Sequence, residues 1–494
     1  MSIATRPRRL GDILDDLAAR NVDISVVPVD PPLGGGTSTA EREVTGCTHD
    51  SRSVMPGSLF CCVPGSKSDG HSFAQIAVDS GAVALLVDHS VTTVPAVPQL
   101  IVRDVRSAMG KVAAAVHGHP SESLVMIGIT GTNGKTSTAH MLAEILIAAG
   151  HQTEVIGTLT QTRTTPEATD LQERLAAFVQ SGITHVVMEV TSHALVLGRV
   201  SGVRYSVAVF TNLSQDHLDF HGTMEAYFRA KAMLFTPEYA DRAVVNADDP
   251  RGRLLFDAAA IPTQMFSMTQ AENLQVGTVS TFTLRGLPVT LHVGGKFSVA
   301  NALAAAEAAS MLGVADSAIV EGLGSAVVAG RFEPVSAGQD FAVIVDYAHT
   351  PDGLVRVLES ARSMTQAGRQ LWCVFGCGGD RDTTKRPLMG AAAATLSDRV
   401  IVTSDNPRSE NPESIIAMIL EGIPGSASTN QHSTHVVTIV DRRSAIALAL
   451  QSAVSGDVVV IAGKGHEQGQ DVNGVVSVFD DRVVAREILL GLYQ

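Results

Sequence analysis

An unbroken apolar run, Leu124 to Ile129, leads into a glycine-rich stretch and then into Ser137 to Ala149. In that last segment Ala139, Met141, Leu142, Ile145 and Leu146 recur at helical spacing, so the pattern predicts a buried strand, a turn and a helix in that order. Further apolar runs at His185 to Val190, Tyr205 to Phe210 and Arg242 to Asn246 each end in polar residues, the place where ligands dock in an open parallel sheet. From about 331 a second series begins: Phe341 to Val345, Gln370 to Phe375, Arg399 to Thr403, Val436 to Val440 and Asp457 to Ile461, with helical stretches between. Such alternation predicts a Rossmann-like doubly wound sheet, although no G-x-G-x-x-G opens it, and Gly376 to Gly379 is a weak signal by itself. Towards the N-terminus, Leu10, Ile13, Leu14 and Leu17 among acids predict an amphipathic helix. Ser58 to Val63 and Ala82 to Val87 predict strands, and Pro31 to Gly36 a surface loop.

The chain has 494 residues, a length that suggests roughly three domains. The patterning divides it at 1–120, 121–330 and 331–494. With 45% hydrophobic and only 4% aromatic residues, the composition suits α/β layers. A net charge of −14 argues against nucleic acid or lipid headgroups as partners. The five cysteines Cys47, Cys61, Cys62, Cys373 and Cys377 show no framework spacing, which predicts reduced thiols in a cytoplasm and no structural zinc. No run of 18 apolar residues appears and the N-terminus has no apolar signal core, so neither secretion nor membrane insertion is expected.

Chemistry concentrates at the first turn. In Gly128-Ile-Thr-Gly-Thr-Asn-Gly-Lys-Thr136 the glycines let backbone N–H groups turn toward an anion, and the following helix adds its dipole. Lys135 can reach terminal phosphates and the Thr136 hydroxyl can ligate Mg²⁺. The strict P-loop has a glycine where this chain has Ile129, so the cradle is a variant of that loop. Glu189 ends its strand beside this turn and reads either as an Mg²⁺ ligand or as a solvent-facing acid. Thr211 to His221 packs two His and two Asp into a short loop, suited to a second cation or a base as well as to a solvated loop.

Taken together the motifs resemble the Mur ligase family, ATP-dependent amide ligases that build the peptidoglycan stem peptide. Gly131-Thr-Asn-Gly-Lys-Thr136, Glu189-x-x-Ser-His193, Thr211 to His221, Asn246-x-Asp-Asp249, Gly330-Arg-Phe-Glu333 and Asp346-Tyr-Ala-His-Thr-Pro351 match the family's motifs in order. The resemblance implies an α/β fold of three domains: an N-terminal uridine-nucleotide domain, a central P-loop-like parallel-sheet ATPase domain and a C-terminal Rossmann-like domain. It implies that ATP phosphorylates the D-glutamyl carboxylate of UDP-N-acetylmuramoyl-L-alanyl-D-glutamate, and that an amine displaces phosphate from the acyl phosphate. Two Mg²⁺ ions would neutralise the phosphates. Gly131, Thr132, Asn133, Gly134, Lys135, Thr136 and Ser137 match the ATP loop. Asn301 and Asp346 match positions near adenine and ribose, and Arg331 one near the phosphates. Thr136 and Glu189 match first-metal ligands and His217 a second-metal ligand. Lys231 matches a lysine carbamylated by CO₂, although alone it reads as a solvated lysine on a helix.

For the nucleotide-sugar substrate the matching positions are His49, Ser51, Ser66, Lys67, Ser68, Thr164, Thr165, Thr191, Leu197 and Arg199, the last as a carboxylate clamp. Asp405-Asn-Pro-Arg408 resembles the signature of members that add meso-diaminopimelate, where lysine-adding relatives differ. Asp50-Ser-Arg52, Pro56 to Phe60 and Gly65 to Gly70 resemble the matching N-terminal domain. For that amine the resemblance implies Asp405, Asn406, Pro407 and Arg408, with Arg386 as second guanidinium and Gly463 and Glu467 near the distal ammonium. Departures are Thr191 for serine, Leu197 for a polar residue, and Phe297-Ser298 for Phe-Asn. A lysine-adding ligase, a folylpolyglutamate synthase-like ligase and a non-catalytic nucleotide-sugar sensor are the competing readings. A monomer is expected.

Overall fold

Three separate sheets carry the architecture of the computed structural model, which describes residues 6–28, 38–65, 68–94, 97–160, 163–423 and 435–493. The first has five strands in the order Ser25–Val27, Gln99–Ile101, Ala84–Val87, Ser58–Cys61, Gly46–Thr48, parallel except for the first edge. Alternation divides its side chains between two faces. Leu59, Cys61 and Leu86 pack under helices Leu10–Ala19 and Val105–Val116, whereas Phe60, Leu85 and Val87 pack against Ala74 and Ala77 of helix Ala74–Asp79.

The second sheet is wholly parallel, in the order Thr263–Phe266, Ala243–Asn246, Val207–Phe210, Val125–Thr130, His185–Glu189, Thr153–Ile156. Its first strand in sequence lies in the middle, so the strand order reverses there and opens a crevice at the carboxyl ends. Ile127 and Ile129 face helix Lys135–Ala148 while Met126 faces Tyr205, and both faces are covered, as a parallel sheet requires. Gly128 is where Tyr205 comes closest: a Cβ there would lie 2.9 Å from the ring. Helix Lys296–Met311 packs on Lys135–Ala148 through fully buried alanines, and Asp316–Ser325 completes the layer. An antiparallel sheet, Glu272–Gln275, Ser280–Leu284 and Leu287–Leu291, flanks it.

The third sheet runs Glu333–Pro334, Ala342–Asp346, Val458–Ala462, Leu371–Phe375, Arg399–Val402, His435–Thr438, parallel except for its short first edge. Helices Pro351–Met364, Lys385–Leu396 and Pro412–Leu420 cover one face, and Arg442–Ser452 with Asp481–Tyr493 the other. The loops after residues 346, 375, 402 and 462 therefore emerge along one edge. Every strand expected from the apolar runs is present within two residues of its expected bounds. The pattern reading missed Thr153–Ile156, Thr263–Phe266, the antiparallel sheet, helix Lys296–Met311 and the hairpin Gly469–Val472/Val475–Val478.

Candidate active site

The cradle lies at the carboxyl end of Val125–Thr130, between the ends of His185–Glu189 and Val207–Phe210. Gly131 and Gly134 have φ of 154° and 88°. A Cβ on Gly131 would come 1.9 Å from Thr211 Oγ1, and one on Gly134 2.3 Å from Asn301 Oδ1, so space as well as backbone demands glycine. The loop is stapled to the neighbouring strand's exit: Asn133 N–H donates to Asn212 Oδ1 at 3.0 Å, and Thr211 Oγ1 and Asn212 Nδ2 donate to Asn133 O at 2.6 and 3.0 Å. Helix Lys135–Ala148 starts directly behind it, so its unpaired N–H groups and dipole favour an anion in the turn.

A cavity of about 320 Å³ opens over this turn. Thr132 to Ser137, Glu189, Thr164, Thr191, His217, Asn301, Arg331 and Asp346 all line it, so most residues implied for nucleotide and metal are brought together from two sheets. Lys135 Nζ donates to the carbonyls of Gly131 and Thr132 at 3.0 and 2.9 Å, folded onto its own loop. Burial lowers its pKa, against the opposing pull of Glu189 and Asp216. Thr136 Oγ1 donates to Glu189 Oε2 at 2.9 Å, and Thr158 N–H to Glu189 Oε1 at 2.8 Å. Glu189 is 1% exposed yet makes no ion pair among the described residues. A buried carboxylate with neutral donors only is a place where a cation would be stabilised.

Lys231, on helix Met224–Ala232, is not a solvated lysine. It is fully enclosed, its Nζ donating to Gly131 O at 2.7 Å and sitting 4.5 Å over the Tyr227 ring. Burial and the nearby Lys135 push its pKa well below the usual lysine range, which favours the neutral amine. His217 has a left-handed backbone, φ 53°, with Nε2 3.5 Å from Asp216; burial lowers its pKa. Just before the third sheet, Arg331 stacks on Tyr347 at 4.3 Å, and its NH2 donates to Thr136 Oγ1 at 3.5 Å. Asp346 accepts from Phe332 N and Ala348 N at 2.7 Å each, and burial raises its pKa.

A second cavity, of about 650 Å³, adjoins the first: Thr158 lines one and Leu159 the other. Asn406, Arg408, His466 and Glu467 line it. Glu467 Oε2 accepts from Asn406 Nδ2 at 2.7 Å and from the wholly buried Lys464 at 3.2 Å. Arg408, φ 51°, donates from NH1 to Gly379 O at 2.6 Å. Asp405, Pro407 and Gly463 are buried and do not line it; a Cβ on Gly463 would meet Asp405 Oδ2 at 2.5 Å.

Several expected ligands sit elsewhere. Arg386 is fully buried, its NH1 and NH2 each donating to Glu410 at 2.8 Å, so it braces the loop after Pro407 and does not reach either cavity. Arg199 pairs with Glu167 at 2.9 Å, a carboxylate that Arg163 also holds at 2.5 Å. Thr165 is buried behind the site, donating to Glu189 O at 2.9 Å, and Leu197 closes helix Ser192–Val196. His49 bonds Thr169 at 2.8 Å, joining the first unit to the second. Ser51 lies in the turn Ser51–Ser53, and Ser68 O accepts from Gly65 N at 3.0 Å. Ser66 and Lys67 lie outside the described residues.

Sequence reading missed Asp352, which accepts from Asn133 Nδ2 at 2.9 Å and Ser214 Oγ at 2.8 Å and ties the third unit to the cradle. It missed Lys464, and also Arg442, which bonds buried Asp481 twice at 2.7 Å and donates to Ser404 O and Ala462 O at 3.3 and 2.9 Å. The signal for Asp352 was its place in the first turn after Asp346-Tyr-Ala-His-Thr-Pro351. Nothing local marked Arg442.

Fold and site together define a nucleotide-binding α/β protein of three units, whose second and third sheets share one phosphate site. Residues 129–309 match the Mur ligase middle domain, 330–465 the Mur ligase glutamate ligase domain, and 43–117 the Mur ligase family catalytic domain. The chain belongs to the Mur ligase family. A UDP-N-acetylmuramoyl-L-alanyl-D-glutamate–2,6-diaminopimelate ligase of Syntrophomonas wolfei is 45% identical, covering 91% of this chain and 96% of that protein. One of Gloeobacter violaceus bearing the same name is 46% identical over 90% and 94%. A solved structure of a ligase of that name aligns with TM-score 0.67 at 34% identity, over 95% of this chain and 100% of the other.

Proposed function

We propose that the protein is an ATP-dependent ligase that joins meso-diaminopimelate to UDP-N-acetylmuramoyl-L-alanyl-D-glutamate, releasing ADP and phosphate. The observation that carries the amine assignment is the second cavity, where Arg408 and Glu467 line one wall beside the phosphate site. The far end of meso-diaminopimelate carries a carboxylate and an ammonium, and a cation with an anion in one cavity complements both. Lysine lacks that carboxylate and would leave Arg408 unanswered. Relatives named for this amine, at about 45% identity over most of the chain, support the reading.

In this mechanism the cradle's N–H groups and Lys135 hold the phosphates, while Asn301, Arg331 and Asp346 fix the nucleoside end. The γ-phosphoryl group passes to the D-glutamyl carboxylate. The amine then attacks the acyl carbon, loses a proton, and phosphate leaves. Mg²⁺, when bound, neutralises phosphate charge; Thr136 and Glu189 suit one ion, and His217 with a Lys231 carbamate suits another. The buried, neutral-leaning amine of Lys231 is the form that attacks CO₂, losing a proton as the carbamate forms. The nucleotide-sugar peptide would lie along Thr164, Thr191 and His49, with unit boundaries near 120 and 330. Five unpaired, buried cysteines suit a cytoplasmic setting for a monomer. The test is phosphate release from purified protein with ATP, the UDP-muramoyl dipeptide and meso-diaminopimelate. Release should need all three and yield a tripeptide of the summed mass; release without the amine, or no product, would overturn the proposal.

A further inference from the structure

In the N-terminal unit, away from both cavities, His71, Asp88 and His89 bring three ligand atoms within 4.8 Å of one another. His71 lies in the turn Gly70–Phe73, and Asp88 with His89 directly follows strand Ala84–Val87. His71 is 8% exposed, Asp88 half-buried and His89 exposed. The His71 ring is oriented by Asp69, which sits 2.7 Å from Nδ1, and it stacks on the His89 ring at a centroid distance of 4.2 Å.

The tautomer follows from the contacts. The amide N–H of Asp88 can only donate, and it points at His71 Nε2 from 3.4 Å, so Nε2 accepts and Nδ1 carries the proton to Asp69. Asp88 Oδ1 nevertheless lies 3.2 Å from that same Nε2, and His89 Nδ1 touches the same oxygen. With Nε2 as acceptor, two lone-pair donors face each other there, an arrangement that a proton or a metal cation between them relieves. Ligands about 2.0 Å from a tetrahedral Zn²⁺ stand roughly 3.3 Å apart, close to the 3.2 Å between His71 Nε2 and Asp88 Oδ1, and a turn of the exposed His89 ring off that oxygen opens the third position. A carboxylate on the far nitrogen of a ligating histidine is the usual outer partner of such a metal.

We propose that His71 Nε2, Asp88 Oδ1 and His89 Nδ1 bind one divalent cation of the zinc type, with Asp69 orienting His71. Imidazole nitrogens with one carboxylate favour zinc and its late first-row neighbours over Mg²⁺. The exposed side, at His89, leaves room for water as a further ligand. The ion clips the turn Gly70–Phe73 to the end of strand Ala84–Val87, a role separate from the phosphate site.

The test is calorimetric titration of Zn²⁺ into the full chain, with excess Mg²⁺ and ADP present to occupy the phosphate site. Wild type should take up one more equivalent than His71→Gln/His89→Ala. The exposed single variant His89→Ala, whose fold is checked by its melting temperature in chelator, should weaken that equivalent at least tenfold. Asp69→Asn should weaken it about 10- to 100-fold. Substituting Co²⁺ should give visible absorption bands that the His89→Ala protein lacks, so a double variant that fails to fold leaves the test intact. Equal stoichiometry and affinity in wild type and His89→Ala, or no Zn²⁺ uptake by wild type, would overturn the proposal.

Discussion

Replacing Arg442 by methionine removes one half of an ion pair in which both side chains are 0% exposed. The guanidinium makes two bonds of 2.7 Å to Asp481, and two more to the carbonyls of Ser404 and Ala462. Methionine fills much of the volume but leaves Asp481 charged and unpaired, a loss of about 3–5 kcal/mol. That is a large part of the roughly 5–15 kcal/mol that holds a domain folded. The chain's single tryptophan, Trp372, lies in the sheet that the helices of Arg442 and Asp481 cover, its Nε1 donating to Asp457 Oδ2 at 3.2 Å, so its fluorescence reports unfolding of this unit. With a urea slope of about 2 kcal/mol/M, a loss of about 4 kcal/mol lowers the midpoint by about 2 M. Removing both charges, as Arg442→Met/Asp481→Leu, should restore most of the stability, because the unpaired charge is the costly element. Ser404 and Ala462 precede Asp405 and Gly463, so the double variant should still raise the KM for the amine while nucleotide affinity stays unchanged. An Arg442→Met midpoint within about 0.5 M of wild type would refute the reasoning.

Further outcomes follow from single positions. Lys135→Ala should abolish phosphate release while leaving the melting temperature near wild type, because its bonds go only to loop carbonyls; near-normal turnover would contradict its phosphate role. Gly131→Ala should lose nucleotide binding altogether, since a methyl 1.9 Å from Thr211 Oγ1 must displace the loop; calorimetry with ADP reads this, and intact affinity would contradict it. His117, whose ring nitrogens find no partner among the described residues, is pushed by burial down to about 4 from an ordinary 6.5. The unfolded chain takes up a proton below pH 6.5 and the folded one only near 4, so stability is full above 6.5 and falls as pH drops between them. The pKa gap corresponds to up to about 3 kcal/mol. His117→Gln should flatten that slope in acid titrations of the melting temperature, and an unchanged slope would contradict the assignment.

The central strands were legible because a parallel sheet covered on both faces writes itself as short apolar runs, as in Leu124–Ile129 and His185–Val190. Edge strands were not: Thr263–Phe266 exposes Gln264 and Met265, and Thr153–Ile156 is half polar. Helix Lys296–Met311 escaped because alanines bury it on nearly all sides, which leaves no apolar stripe to find. The hairpin joining Ser280–Leu284 to Leu287–Leu291 did carry a signal, Arg285-Gly286 at φ 50° and 80° between alternating strands. At the site, Lys135, Thr136 and Glu189 were readable because one βα turn and the adjacent strand end bring them together. Asp352 meets Asn133 across 219 residues, and Arg386 was read as a ligand because nothing near it in sequence announces Glu410. Lys231 was decided by its motif, and its enclosure over Tyr227 follows only from the fold.

The most direct measurement of the central claim is kcat/KM for meso-diaminopimelate and for L-lysine, in wild type and in Arg408→Ala. A charge-assisted bond contributes about 1.5–3 kcal/mol, so loss of the Arg408 guanidinium should cut diaminopimelate efficiency roughly ten- to a hundredfold. Lysine should be the poorer substrate of wild type and should change little in the variant. A wild-type preference for lysine, or an unchanged ratio in Arg408→Ala, would contradict the account.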